Sequence, residues 1–306
     1  MEAKEHLAAY AAWLQHVDGR SNIEIAATLG VSRLRVPKLV RWAESEGIAS
    51  VSIRRPIGVD WGLSERIRQK FGLADALVAD SSSQGSVGLL AARYVSEVLV
   101  EGSQLGVAWG SGSQEMAVHL EFITGIPQSD VVQLIGGLPE SPSQWSATEL
   151  LVRLSRVLGG NAAALLAPMI LPDAATAEGL RREPSIAHAF HMMERLNVAV
   201  VGVGSWEPAA SRVKTEMSVE ELRALKAVSA DVCGILLADD GEVVGHEISR
   251  RIMAIDEVTL RRCPVRIAVS FGEKKVGAIR TVLRSGLVSV LCTDYPTAKR
   301  VLEDPS

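Results

Sequence analysis

The sequence contains 306 residues, of which 47% are hydrophobic and 22% are charged. This composition is typical of globular proteins and excludes a disordered or collagen-like chain. The formal net charge of −4 excludes a uniformly basic surface but allows a local basic patch.

The length, at about 100–200 residues per domain, predicts two domains. No apolar run approaches the ~20 residues of a membrane-spanning helix, and charged residues interrupt the N-terminal segment, so we expect neither a secretory signal nor a membrane partner. The cysteines Cys233, Cys263 and Cys292 form no C-x-x-C pair. They predict reduced, buried thiols in a cytoplasmic protein.

Residues 1–56 form the first predicted domain, a small all-α unit. From Asn22 to Val40 the apolar residues are spaced as two short packed helices require; they are Ile25, Leu29, Val31, Val36 and Leu39. Ala26 lets the helices approach, and Gly30 permits the left-handed conformation in the turn. This spacing predicts a helix-turn-helix whose second helix enters the DNA major groove.

Basic and polar residues of this segment are the candidates for DNA binding. Residues 32–41 contain four basic side chains and no acid. Ser32 is expected to cap the second helix by accepting from its first amides. The candidate set is Ser21, Asn22, Ser32, Arg33, Arg35, Lys38 and Arg41. The alternative is an ordinary helical hairpin with a solvated charged face.

Pro37 conflicts with a regular second helix. Counted from Ser32, it lies about five residues inside, where it removes a backbone donor and crowds the carbonyl of Arg33. We therefore expect a kink or a tightened first turn there.

Residues 57–306 form the second predicted domain, after the interruption at Arg54-Arg55-Pro56 and Gly58. Short apolar runs alternate with amphipathic segments such as 84–100; the runs are 76–79, 105–108, 131–135, 163–166, 198–203, 235–237, 265–269 and 288–292. Continuous apolar runs suit strands buried on both faces of a parallel sheet. The fold class is therefore α/β, a doubly wound sheet with right-handed crossovers.

Polar residues follow several of these strands, at the edge where open parallel sheets bind ligands. Gly110-Ser111-Gly112-Ser113 follows the run 105–108 and opens a helix. Its amides, hydroxyls and helix N-terminus could hold a phosphate, and a plain strand-to-helix turn is the alternative.

Two further positions are candidates for the same edge. Lys275, at a helix start after the run 265–269, is unfavourable there unless an anion lies nearby, and a solvated lysine is the alternative. Asp239, after the run 235–237, is expected first in a hairpin turn, but its carboxylate could also accept hydrogen bonds from sugar hydroxyls.

His188 and His191 lack a third ligand nearby in sequence, so no metal is predicted. No G-x-S-x-G or Cys–His pairing indicates hydrolysis.

The chain strongly resembles the SorC family of bacterial sugar-responsive transcriptional regulators over nearly its whole length. The matching motifs are the helix pair at 22–40 followed by Glu46-Gly47-Ile48, and the segments 105–110, 131–137, 201–205, 272–279 and 286–294. Each motif is weak alone, but their order along the chain is specific.

The resemblance implies an effector domain similar in fold to sugar-phosphate isomerases but acting as a sensor, without a cofactor. It implies a homo-oligomer, usually a tetramer, that binds operator DNA and a phosphorylated sugar or polyol. The expected effector-binding residues are Gly110, Ser111, Gly112, Ser113, Gln133, Asp239 and Lys275. No catalytic residue is expected.

The sequence departs from the family at two positions of these loops. Gly112 stands where a threonine is common, and Phe271 where a glycine is usual. Residues 138–144 contain no lysine, so the sequence does not support an imine-forming regulator resembling the deoxyribonucleoside type.

The alternative function is a sugar-phosphate isomerase or deaminase with a fused helical head, for which Asp239, Asp240 and Glu149 would be the candidate bases.

Overall fold

The computed structural model describes residues 2–49, 58–137, 146–208, 211–225 and 227–303. The chain divides into two compact units, residues 1–57 and 58–306. The segment predicted to separate them, residues 54–56, lies outside the described residues.

The N-terminal unit is built from three helices, α1 Glu2–His16, α2 Asn22–Leu29 and α3 Val36–Ser45. The hydroxyl of Ser21 accepts from the Glu24 amide while the Glu24 carboxylate accepts from the Ser21 amide, a reciprocal cap that starts α2. Gly30 ends α2 in the left-handed conformation that the sequence predicts, with a φ of 62°. The small core consists of Ala8, Ala11, Ala12, Leu14, Ile25, Ala26, Val36, Leu39, Val40 and Ala43.

The start of α3 differs from the sequence-based expectation. The helix begins at Val36 rather than after Ser32, and Arg35 precedes it without any side-chain cap. The carbonyl of Ser32 instead accepts from the Arg35 amide in a separate turn. Pro37 is therefore the second helical residue, where a missing N–H costs no intrahelical bond. The predicted Ser32 cap is wrong, and of the two outcomes expected near Pro37 the chain shows a tight turn, from Ser32 to Arg35, before the helix.

The second unit is organised around a seven-stranded sheet in which every paired strand is parallel. The strands are β1 Asp75–Ala79, β2 Ser103–Val107, β3 Ser129–Gln133, β4 Gly159–Ala163, β5 Val198–Val201, β10 Val265–Val269 and β11 Val290–Asp294. Their spatial order is β1-β11-β10-β5-β2-β3-β4. The central β5 and β11 are buried at every residue, as strands covered on both faces must be. The α/β fold class is confirmed.

Helices fill the connections of this sheet. The longer ones are α4 Trp61–Phe71, α5 Gln84–Val98, α6 Ser111–Leu120, α7 Ala147–Leu158, α8 Ala174–Arg181, α9 Pro184–Met193, α14 Val276–Ser285 and α15 Tyr295–Leu302. Short helices are α10 Arg212–Thr215, α11 Val219–Ala224, α12 His246–Ser249 and α13 Glu257–Arg262, with a 3₁₀ turn at Glu273–Lys275. The predicted amphipathic helix at 84–100 corresponds to α5, which buries Val87, Leu90, Ala91 and Val95.

A second, antiparallel sheet lies between β5 and β10 in the chain. It has the order β6 Gly204–Ser205, β7 Ala230–Val232, β8 Ile235–Leu237 and β9 Val243–Val244. The run 235–237 is thus not a strand of the parallel sheet, because the two-residue turn Cys233-Gly234 folds it back on β7. The predicted turn at Asp239–Gly241 connects β8 to β9.

The run 163–166 is also misplaced in the sequence-based prediction. The strand β4 ends at Ala163 and is formed mostly by the small residues before that run. Leu165 is buried but Leu166 is exposed, so the chain has already left the sheet.

All three cysteines are buried and free of disulfide bonds. Among the described helices, none combines the length and apolar character needed to cross a membrane.

Candidate functional site

A cavity of about 150 Å³ lies at the carboxyl ends of the central parallel strands. From β2 the chain proceeds outward to β3 and β4, then returns to β5 on the other side of β2 and continues to β10. This reversal between β2 and β5 is the position at which open α/β sheets bind ligands. The cavity is smaller than the ~300–1,000 Å³ of sites for drug-sized molecules, and so suits a small ligand.

One wall of the cavity is the turn from β2 into α6, formed by Trp109, Gly110 and Ser111. Gly110 precedes α6 with a φ of 149°, a conformation that favours glycine, and no side chain caps the first amides of the helix. These amides and the Ser111 hydroxyl can therefore receive an anionic group.

The cavity is also lined by a buried carboxylate, Asp231 of β7. Its Oδ1 accepts a hydrogen bond from Trp206 Nε1 at 3.1 Å and another from the Ser211 hydroxyl. Gly204 lies directly opposite Asp231 across the β6–β7 pair, and a Cβ at Gly204 would come within 2.2 Å of Asp231 Oδ1. The glycine therefore makes room for the carboxylate.

Burial changes the ionisation of this carboxylate. Desolvation raises the pKa of Asp231, while the hydrogen bonds from Ser211 and Trp206 and the charge of Lys275 oppose the rise. A polar ligand hydrogen-bonded here would replace part of the missing hydration.

Lys275 brings a positive charge to the same cavity from the turn after β10. Burial lowers the pKa of Lys275, and the charge of Asp231 opposes the change. Within the described part of the chain, its ammonium group has no hydrogen-bond partner. A desolvated cation without such a partner is a favourable site for a ligand anion.

The structure brings together three of the seven predicted effector-binding residues, Gly110, Ser111 and Lys275. The loops carrying them follow β2 and β10, the two strands that flank β5 in the sheet.

The other predicted residues do not line the cavity. Gly112 is buried against β10, where a Cβ would lie 2.3 Å from the Val269 carbonyl oxygen, so the helix packs too closely for a threonine. Ser113 is buried and its hydroxyl has no partner among the described residues. Gln133 is buried and donates to the Ile135 carbonyl, and Asp239 accepts from Ser229 in the β8–β9 turn.

Sequence reasoning missed Asp231 and Arg212, which both line the cavity. Asp231 had a detectable signal, because it is a single acid inside the apolar run 228–237. A charge is rarely fully buried unless it is paired or functional. Arg212 stands at the start of α10, without a comparable pattern around it.

The candidate bases of the isomerase alternative lie elsewhere. Glu149 belongs to the reciprocal cap of α7, and Asp239 and Asp240 belong to the β8–β9 turn. In the described ranges, no group of three metal-binding side chains is close enough to hold an ion. The lysine-free segment 138–144 is outside the described residues.

The predicted DNA-binding residues all lie on the surface of the N-terminal unit. Arg33 and Arg35 belong to the turn before α3, and Lys38 and Arg41 to its first turns, so the basic residues surround the N-terminal end of the helix. Ser21 is occupied by the cap of α2, and the exposed Asn22 is the first residue of that helix.

Residues 56–303 match the model of the sugar-binding domain family. The parallel sheet, the cavity at its carboxyl edge and the separate helical unit define a sugar-binding transcriptional regulator. The chain belongs to the SorC family of these regulators.

Relatives match this chain over almost its whole length. The transcriptional regulator YjhU of Escherichia coli K12 is 29% identical, covering 96% of this chain and 93% of that protein. The sorbitol operon regulator of Klebsiella pneumoniae is 26% identical, covering 95% and 96%. The deoxyribonucleoside regulator of Bacillus subtilis 168 is 25% identical, covering 98% of each chain.

The fold is shared with a solved structure. The full-length sorbitol operon regulator SorC from Klebsiella pneumoniae superimposes with a TM-score of 0.74 at 24% identity, covering 98% of this chain and 99% of that one. This agreement shows the fold of both units together with their order along the chain.

Proposed function

We propose that this regulator controls a carbohydrate or polyol operon by binding a phosphorylated sugar or polyol in the cavity between β2 and β5. The observation that carries the proposal is the presence of Lys275 and Asp231 in one small cavity. The cation and the free amides of α6 suit a phosphate, and the carboxylate suits hydroxyl groups, which donate hydrogen bonds to it.

Operator binding is assigned to the N-terminal unit. Arg33, Arg35, Lys38 and Arg41 are exposed around the start of α3, and this region contains no acidic residue. Such a surface supports phosphate contacts, and the helix N-terminus faces the same anions. The helix pair α2–α3 then acts as a helix-turn-helix with α3 as the reading helix.

We further propose that the chain acts as a homo-oligomer, a tetramer by its SorC family resemblance. One helical unit reads too few base pairs for a specific operator, so at least two must act together. The effector would then stabilise one arrangement of the subunits and change operator affinity, since a ligand shifts an equilibrium only through different affinities for its two states.

Calorimetric titration with matched pairs of sugars and sugar phosphates tests the effector. Charge-assisted hydrogen bonds contribute ~1.5–3 kcal/mol, so Lys275→Met should weaken binding of the phosphorylated effector about tenfold to a hundredfold. The neighbouring Lys274 is exposed and outside the cavity, so Lys274→Met is the matched control. Equal affinity for a sugar and its phosphate, or an intact response in Lys275→Met, contradicts the phosphate assignment.

Operator affinity, measured by fluorescence anisotropy with and without effector, tests the regulation. In Lys275→Met, operator affinity without effector should stay at the wild-type value while the effector response is lost. Light scattering with operator present tests the oligomer, and a monomeric mass contradicts it.

A further inference from the structure

A second cavity, of about 190 Å³, is lined by the Cys233-Gly234 turn. Cys233 lines both cavities. The inner surface is mostly apolar, with Ile235, Ile252 and Val258 among its lining residues. An apolar cavity of about 150 Å³ can hold a molecule the size of benzene, so this cavity is large enough for a small organic molecule.

The acidic and hydroxyl groups of this cavity are already engaged by the protein. Asp256 accepts from the Thr259 amide, and Glu257 accepts from Arg261 Nε at 2.8 Å. The Ser249 hydroxyl donates to the Gly245 carbonyl. Each of these groups therefore has a partner within the protein, and none of them by itself indicates a ligand.

Arg181 is different, because its hydrogen-bonding capacity is mostly unused. One nitrogen, Nη2, donates to the Ile252 carbonyl at 2.8 Å, and this is the only hydrogen bond of the side chain with described residues. Its guanidinium carbon lies 5.5 Å from the centre of the Phe190 ring. Phe190 accepts no conventional hydrogen bond, so the other N–H donors of the guanidinium have no hydrogen-bond partner among the described residues.

The surroundings of Arg181 favour an anionic partner. Burial lowers the pKa of this guanidinium, and the charges of Asp256 and Glu178 only partly oppose the effect. Neither carboxylate forms an ion pair with Arg181 in the described chain, since Asp256 caps α13 and Glu178 pairs with Arg182. A half-buried planar cation without a carboxylate partner matches a ligand carboxylate.

We propose that this second cavity binds a small monocarboxylate with an apolar body, its carboxylate on Arg181 and its hydrocarbon part against Ile235 and Ile252. This assigns the regulator a second ligand, distinct in chemistry from a sugar. Because Cys233 borders both cavities, occupation of one can alter the other through the Cys233-Gly234 turn. The proposal stands on its own geometry and does not depend on the proposed function of the first cavity.

Calorimetric titration of the full chain with 3-methylbutanoate, and with its neutral amide as the matched probe, tests the site. We expect the carboxylate to bind and the amide to bind at least about tenfold more weakly, since the guanidinium pairs only with the charged form. Val258 is 58% exposed, so substitutions there preserve the fold. Val258→Glu places a like charge at the cavity wall and should weaken the carboxylate about tenfold, whereas the uncharged Val258→Gln should not.

Two further variants identify which cavity is occupied. Arg181→Met should remove carboxylate binding, and Lys275→Met should leave it unchanged. Absence of binding at millimolar carboxylate, or equal affinity for the amide, overturns the proposal. Carboxylate affinity that falls in Lys275→Met but not in Val258→Glu places the anion in the first cavity and overturns it as well.

Discussion

Replacement of Gly204 by alanine should displace the buried carboxylate of the first cavity. The new Cβ would stand 2.2 Å from Asp231 Oδ1, 2.6 Å from its Cγ and 2.8 Å from Oδ2. Ordinary contact therefore requires the carboxylate to move by roughly 1 Å, which overpacks a buried site at a cost of about 1–3 kcal/mol. The movement also breaks or lengthens the bonds from Trp206 and Ser211.

The expected result is a loss of both stability and effector affinity. At about 2–4 °C per kcal/mol for a unit of this size, the melting temperature should fall by roughly 2–12 °C. Loss of one charge-assisted hydrogen bond to the ligand should weaken the effector about tenfold to a hundredfold. Differential scanning calorimetry and effector titration measure the two effects.

A matched control is available on α14. A Cβ at Gly277 meets no atom within 4 Å, so Gly277→Ala should leave effector affinity unchanged and stability equal or slightly higher. Wild-type effector affinity in Gly204→Ala would show that the position of Asp231 does not matter for the ligand, and would refute the assignment of this carboxylate.

Three further outcomes are expected. Arg33→Ala/Arg35→Ala should flatten the slope of log operator affinity against log salt by about two units, and an unchanged slope contradicts the proposed DNA surface. Pro37→Ala should destabilise α3 by about 0.4–1 kcal/mol in amide hydrogen exchange, because proline at the second helical position restricts the unfolded chain; a gain in protection contradicts this reasoning. Because folding raises the pKa of Asp231 above its ordinary value of 3.8, the folded protein loses stability as the pH rises from about 3.8 through the raised pKa. Asp231→Asn removes this loss and should therefore raise the melting temperature most near neutral pH. A gain in melting temperature that grows as the pH falls contradicts this reasoning.

The parallel sheet could be predicted because its strands carry their own signal. Runs such as 198–201 are apolar at every position, which suits a strand buried on both faces. The run 235–237 has the same composition but belongs to the antiparallel sheet. Its pairing is decided by the Cys233-Gly234 turn, and apolar character alone does not distinguish the two kinds of sheet.

The candidate site could be predicted only where residues follow parallel strands. Gly110, Ser111 and Lys275 are predictable because they lie in the loops that follow β2 and β10. Asp231 enters the cavity from the second sheet, and although its isolated charge in an apolar segment is visible in the sequence, that pattern does not indicate which cavity the side chain lines. The sequence also does not predict the first residue of α3. Residues 32–35 could begin the helix or form a separate turn, and the chain forms the turn.

The first cavity is assembled from segments scattered between residues 108 and 275, so no short segment of the chain contains it. An unfolded chain therefore retains no affinity for the effector, and the full binding free energy is added to the stability of the folded state. At an effector concentration one hundred times its Kd, the gain is about 2.7 kcal/mol. A screen of metabolites by thermal shift on the intact protein can thus identify the effector before its operator is known.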